Sequence, residues 1–156
     1  MSKIVLLSCT KSKLEEPAKA RDLYSPSPMF QKTLAYGESL RPDKIFILSA
    51  KHHLVPMDKK LAPYELTLKT MGKGGKIVIQ QMEKSGINIQ KDKFIFLTGS
   101  EYMKPLLDYI PEQNIETPMD GKRMGERLQW LNSQINEIKK LVKKLKNIIY
   151  ECVKKY

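Results

Sequence analysis

The residues best equipped for chemistry in this chain stand where short apolar runs end. Ile4–Leu7 leads straight into Ser8, Cys9, Thr10, Lys11, Ser12 and Lys13, so hydroxyls, a thiol and two ammonium groups crowd one turn. Burial explains the apolar run and leaves the turn unexplained. At the carboxyl end of a strand in an α/β domain, such a turn offers backbone N–H and hydroxyl donors to an anion, and lysines add charge. It lacks the glycines and the spacing of a Walker A loop. Lys11 and Lys13 are two apart, and in an extended turn they are expected to bracket one phosphate. Cys9 beside these cations could act as a nucleophile, although a small buried filler is the commoner role of a cysteine at a strand end. Ile45–Leu48 leads into Ser49, Ala50, Lys51, His52 and His53. Lys51 suits phosphate and His52 suits proton transfer near neutral pH. Phe94–Leu97 leads into Thr98, Gly99, Ser100, Glu101 and Tyr102, where Gly99 permits close backbone approach and Glu101 lies at a helix start. Two more segments set an aromatic ring beside an acid: Asp22-Leu23-Tyr24-Ser25, read as a loop, and Pro63-Tyr64-Glu65. Rings at Tyr24 and Tyr64 suit base stacking, and a carboxylate such as Asp22 can meet an amino edge or a ribose.

Positioning these groups calls for a sheet. The three runs are short, apolar throughout and rich in β-branched or aromatic residues, the pattern of parallel strands buried on both faces. Parallel strands place their carboxyl ends at one edge, so three loops would line one site. The expected fold is a three-layer α/β domain with a mostly parallel central sheet, plus a long C-terminal helix. Helices are expected over Pro28–Leu40, from Gly75 or Lys76 to Lys84, and over Tyr102–Tyr109 before Pro111. Residues 54–68, with Pro56 and Pro63, read as an irregular cover, residues 72–75 as a glycine-rich turn, and Ile115–Thr117 as a short edge strand. From Gly121 the chain reads as one helix. Leu128, Leu131, Ile135, Ile138, Val142, Leu145, Ile149 and Cys152 recur at strict three-four spacing. The division is therefore 1–120 for the α/β part and 121–156 for a basic amphipathic helix. That helix either closes the domain core or forms the seam of a homodimer through Leu128–Cys152.

Composition narrows the partners. At 156 residues the chain fits one domain with a core of its own. An excess of 28 Lys+Arg over 17 Asp+Glu gives a net charge of +11, which favours nucleic acid or a nucleotide. Cys9 and Cys152 do not read as a disulfide framework, and two His and two Cys in unrelated contexts argue against a structural zinc site. No metal or cofactor is called for. The first residues lack a signal-peptide core and no apolar run reaches membrane-spanning length, so a membrane is not an expected partner and the cytoplasm is the expected location.

Taken in order, Ser8–Lys13, Asp22–Tyr24, Ile47–Leu54, Pro63-Tyr64, Gly99–Tyr102 and Pro118–Leu131 resemble a bacterial and phage domain family of unknown function. Its members carry S-C-[ST]-K-x-K, D-L-Y, I-L-S-A-K-[HY]-G-L, P-Y, G-x-x-Y and P-x-x-G-x-x-[IM]-G-x-[RQ]-x-x-W-L. One departure is His53, where the pattern has glycine in a tight turn. The family is distantly similar to the C-S-x-x-K-P-Y domain of archaeosine synthase, to peroxide-stress protein YaaA and to uracil-DNA-glycosylase-like folds. The resemblance implies a three-layer α/β domain that binds or acts on nucleobases. Two functions are then expected to compete. One is an enzyme acting on an N-glycosidic bond, with Glu101, Asp22 or His52 as acid, base or water-positioning group. In it Ser8, Thr10 and Ser49 act as hydrogen-bond donors and Lys11, Lys13 and Lys51 hold phosphate. The other is a non-catalytic DNA- or RNA-binding protein, dimeric through the long helix.

Overall fold

The computed structural model describes residues 1–65 and 74–156. The expected turn at 72–75 and the end of the expected irregular stretch at 54–68 lie in part outside those residues. Strand β1 (Lys3–Ser8) is central, with β3 (Lys44–Ser49) on one side and β6 (Lys93–Leu97) on the other, all parallel. The sheet order is β4-β3-β1-β6-β7, with β7 (Ile115–Glu116) parallel at one edge and β4 (His53–Pro56) antiparallel at the other. A separate two-stranded ribbon pairs β2 (Ala18–Lys19) with β5 (Lys60–Leu61).

Alternation along β1 explains the layers. Ile4 and Leu6 point into one core with Phe46, Phe94, Phe96 and α3 (Gly75–Lys84), which contributes Val78, Ile79 and Met82. Val5 and Leu7 point into the other with Ile47, Leu97 and Phe30 of α2 (Pro28–Ser39). Both faces are buried, which is why the strand runs carry no polar alternation. Gly37 lets α2 lie close on the sheet, since a Cβ there would sit 3.1 Å from Val5 Cγ1.

Three expectations change. Residues 54–61 hold two short strands in place of an irregular cover, because Leu54 and Val55 continue the sheet beside Leu48 and Ile47. Asp22-Leu23 belongs to a short helix, α1 (Ala20–Leu23), with Tyr24 as its buried C-cap. The helix expected over 102–109 is instead α4 (Ser100–Met103) followed by a 3-10 turn at Lys104–Leu106. Pro105 has no N–H to continue an α-helical ladder.

The last helix, α5 (Met124–Lys154), spans 31 residues, ~46 Å at ~1.5 Å per residue. Its first half belongs to the body: Leu131 is fully buried in the α2-side core, and Trp130 meets Tyr36 edge-on at 4.9 Å. From Lys139 onward every residue is exposed. Among the described residues no helix is long and apolar enough to cross a membrane.

Candidate functional site

Because β1, β3 and β6 are parallel and in register (Ser8 beside Leu48, Leu7 beside Leu97), their carboxyl ends share one edge. Two distinct groups of polar side chains form there.

The first lines a cleft of about 420 Å³ between the ends of β1 and β6. The loop after β1 supplies Ser8, Cys9, Thr10 and Lys11, and the loop after β6 with α4 supplies Gly99, Glu101 and Tyr102. The start of α2 and the start of α5 close the other walls, the latter with Arg127. Lys11 and Glu101 are exposed to solvent. Arg127 is held from behind: its Nε donates to the carbonyl of Lys122 at 2.9 Å and its Nη1 to that of Thr98 at 3.2 Å. The two bonds use two of its five N–H groups and leave the others for a ligand in the cleft that Arg127 lines. Glu101 lies over Gly99: its Oε2 would sit 2.9 Å from a Cβ at that position. Tyr102 hydroxyl and Cys9 Sγ are 3.2 Å apart. Burial first, then the Cys9 contact, pushes the Tyr102 phenol well above its usual range, so it stays protonated at neutral pH and is able to donate.

The second group surrounds Tyr64. Ser49 Oγ accepts from the N–H groups of Lys51 (3.2 Å) and His52 (3.1 Å), which fills its lone pairs. Its own proton is therefore directed to Tyr64 hydroxyl at 2.8 Å, and the Tyr64 and Tyr24 hydroxyls share a further hydrogen bond at 2.7 Å. Burial raises the pKa of both tyrosines, so the chain is neutral. Lys13 Nζ lies 4.3 Å from the Tyr64 ring centre and donates to the carbonyls of Thr10 (3.0 Å) and Lys11 (3.3 Å). Desolvation lowers its pKa, while Cys9 and Glu65 pull the other way. Lys51 Nζ lies 5.4 Å from the same ring, and the His52 ring packs edge-on at 5.2 Å. Desolvation first, then Lys51, Lys59 and His53, lower the His52 pKa and favour neutral imidazole.

The three loops thus share an edge without sharing one cleft. Ser8, Cys9, Thr10, Lys11, Gly99, Glu101 and Tyr102 come together, whereas Lys13, Ser49, Lys51, His52 and Tyr64 form the neighbouring cluster. Lys13 does not bracket a phosphate with Lys11, because its ammonium folds back on its own loop. Tyr24 is fully buried against Phe30, with ring centres 5.3 Å apart, so its ring has no face to offer a base. Tyr64 is 9% exposed and carries Lys13 and His52 on its ring, with the same consequence. Asp22 is exposed on α1, outside the cleft lining. Arg127 is the charged residue of the cleft lining missing from the sequence-derived set. Its signal stood in the segment Pro118–Leu131, where it occupies the [RQ] position. Among the described residues no group of three or more His, Cys, Asp or Glu could hold a metal ion.

A family model described as a family of unknown function (DUF6884) matches residues 4–133. The chain belongs to this family. The matched span reaches from the first strand into the first third of α5, so it includes every wall of the cleft. No curated protein and no solved structure matches the chain.

The turn before β4 holds a local oddity. His53 has φ of +64°, the left-handed conformation that glycine adopts at little cost and a histidine does not. The tight turn expected of glycine is present here, and His53 carries its strain. The buried Nδ1 of His53 has no hydrogen-bond partner among the described residues.

Proposed function

We propose that the cleft between the ends of β1 and β6 binds the sugar-phosphate portion of a nucleotide unit, free or within DNA or RNA. There the protein cleaves or exchanges the N-glycosidic bond. One observation carries this reading: a carboxylate, Glu101, faces the same cleft as two cations, Lys11 and Arg127, beside a protonated phenol. Departure of a base leaves a positively charged, oxocarbenium-like sugar, which a carboxylate on the cleft wall stabilises. In hydrolysis, water adds its oxygen to the anomeric carbon and the leaving base takes up a proton. Glu101 orients the water, Tyr102 or the hydroxyls of Ser8 and Thr10 donate to the base or sugar, and Lys11 and Arg127 hold phosphate. The cleft volume lies in the range of small-ligand sites. The resemblance to nucleobase-acting folds and the charge of +11 point to the same substrate class. Of the three acid-base candidates, Glu101 is the one that lines the cleft, while His52 and Asp22 stand outside it.

The alternative is nucleic-acid binding without bond cleavage, as a dimer through the long helix, and the bare far half of α5 favours it. Incubating the protein with nucleosides, nucleotides and oligonucleotides carrying modified bases, with released bases identified by mass spectrometry, separates the two. Base release that Glu101→Gln abolishes supports the enzyme. Salt-sensitive binding that Lys11→Ala and Arg127→Ala weaken, with no base released from any substrate, supports the binding protein. Absence of both overturns the site.

A further inference from the structure

We propose, resting on the nucleotide reading above, that Met29, Leu97, Met119 and Met124 form the base subsite of the cleft and hold a nucleobase by the faces of its ring. With phosphate on Lys11 and Arg127 and the sugar beside Glu101, the base still needs apolar surface to lie on. Tyr24 and Tyr64 cannot supply it, because both rings are enclosed. Tyr102 lines the cleft, yet its ring packs against the α3-side core and its hydroxyl turns to Cys9. The other large apolar side chains of the lining come from the opposite side of the sheet. Leu97 and Met119 belong to the α2-side core, Met29 packs against it, and Met124 opens α5. Leu97 and Met119 are buried, Met29 is half-buried, and Met124 is 66% exposed. This wall therefore has a fixed inner part and an open outer part.

Three of these four side chains are methionines, and that decides the kind of recognition. A thioether is polarisable and packs well against an aromatic ring, and its rotatable bonds let it follow the outline of a ring rather than impose one. Reading the edge of a base would need free, fixed donors and acceptors. The buried hydroxyls of the lining are instead engaged with backbone. Thr33 Oγ1 donates to the carbonyl of Met29 at 2.6 Å, and Thr98 Oγ1 donates to that of Gly99 at 3.1 Å. Ser27 Oγ accepts from the N–H of Phe30 at 3.2 Å, and among the described residues no acceptor takes its proton. A rotating hydroxyl offers that proton equally to a ring nitrogen or to an exocyclic oxygen. The subsite thus takes flat aromatic bases as a class. It tolerates substituents on the ring edge and separates amino from keto forms only weakly.

Methyl NMR of the full chain, with carbon-13 in the methionine methyls, tests the contact. Met29→Leu, Met119→Leu and Met124→Leu in turn assign the signals. The ligands are adenosine monophosphate and ribose 5-phosphate, which is the same ligand without its base. The nucleotide is expected to move the Met29, Met119 and Met124 methyls upfield, the direction for a methyl over the face of a ring. Met57 and Met82, outside the cleft, stay in place. Ribose 5-phosphate binds and moves none of the three upfield. By calorimetry the nucleotide binds about tenfold or more tighter than ribose 5-phosphate, from the apolar surface its base buries. Inosine monophosphate and N-methylated adenosine monophosphate bind within about threefold of it, since the ring faces are unchanged. Met124→Ala weakens nucleotide binding about threefold and leaves ribose 5-phosphate as it was. Met124 is exposed in the free chain, so folding is spared. Three results overturn the base subsite and leave the phosphate site standing: a nucleotide bound no tighter than ribose 5-phosphate, a nucleotide bound without methyl shifts, or adenosine preferred over inosine monophosphate by more than about tenfold, the mark of edge reading. If neither ligand binds, the nucleotide reading falls and the base subsite falls with it.

Discussion

The loop after β1 carries two lysines two residues apart, and their surroundings could hardly differ more. Lys11 reaches the cleft with Glu101 and Arg127, exposed to solvent. Lys13 is turned back onto two carbonyls of its own loop, above Tyr64, with its pKa lowered by desolvation. Residue type does not distinguish them. The partners waiting on either side do. Toward β6 lie a glycine, a carboxylate and a guanidinium held open to solvent. Toward β3 lies a closed chain of hydroxyls under an aromatic ring. The first region presents Lys11, Glu101 and Arg127 to an open cleft and is suited to a ligand, whereas the hydroxyls of the second bond to one another and serve to fix the loops.

Substitutions can break that distinction. The largest effect is expected at Glu101: Glu101→Gln lowers base release about a hundredfold or more, as loss of a group acting in the transition state does. Nucleotide binding measured by titration stays within a few fold. Next, Lys11→Ala weakens nucleic-acid binding and lowers the salt slope by about 0.7–0.9. Lys13→Ala leaves the slope unchanged and lowers the melting temperature instead. Equal slopes for the two variants would erase the division between the regions. Tyr64→Phe removes the hydroxyl between Ser49 and Tyr24 and is expected to cost about 1–3 kcal/mol of stability by denaturant unfolding, with cleft binding intact. In the opposite direction, His53→Gly relieves a left-handed histidine and is expected to stabilise by about 1 kcal/mol.

The smallest effect is in pH dependence. His52 has its pKa lowered in the folded chain, so the unfolded chain binds more protons once the pH falls below about 6.5. Stability is then full above that pH and declines below it, as the unfolded state gains a proton the native imidazole refuses. His52→Gln should flatten that part of a stability-against-pH curve. A decline of the same slope in the variant would place its origin elsewhere.

The strands were the legible part of the sequence. Ile4–Leu7, Ile45–Leu48 and Phe94–Leu97 are apolar on both faces because both faces are covered, and each ends within one residue of the observed strand. Their common edge followed from parallel pairing. The site was legible only in part, because its membership depends on which way side chains turn. Tyr24 reads like a loop aromatic, yet Phe30 and Tyr64 enclose it. Lys13 reads like the twin of Lys11, yet the carbonyls nearest to it are its own. Arg127 enters the cleft from a helix far along the chain, a placement that depends on α2 receiving α5 rather than on any local spacing. Pro105 was a visible break inside the stretch expected to be helical over 102–109, and its missing N–H was the physical warning.

The two carbonyls behind Arg127 have a consequence for how a ligand would be held. An arginine gripping an anion from solvent gives up roughly 2 kcal/mol of side-chain freedom in doing so. Here Lys122 and Thr98 immobilise the guanidinium before anything arrives. The disorder is lost when the chain folds, and binding at this wall begins from a side chain already at rest.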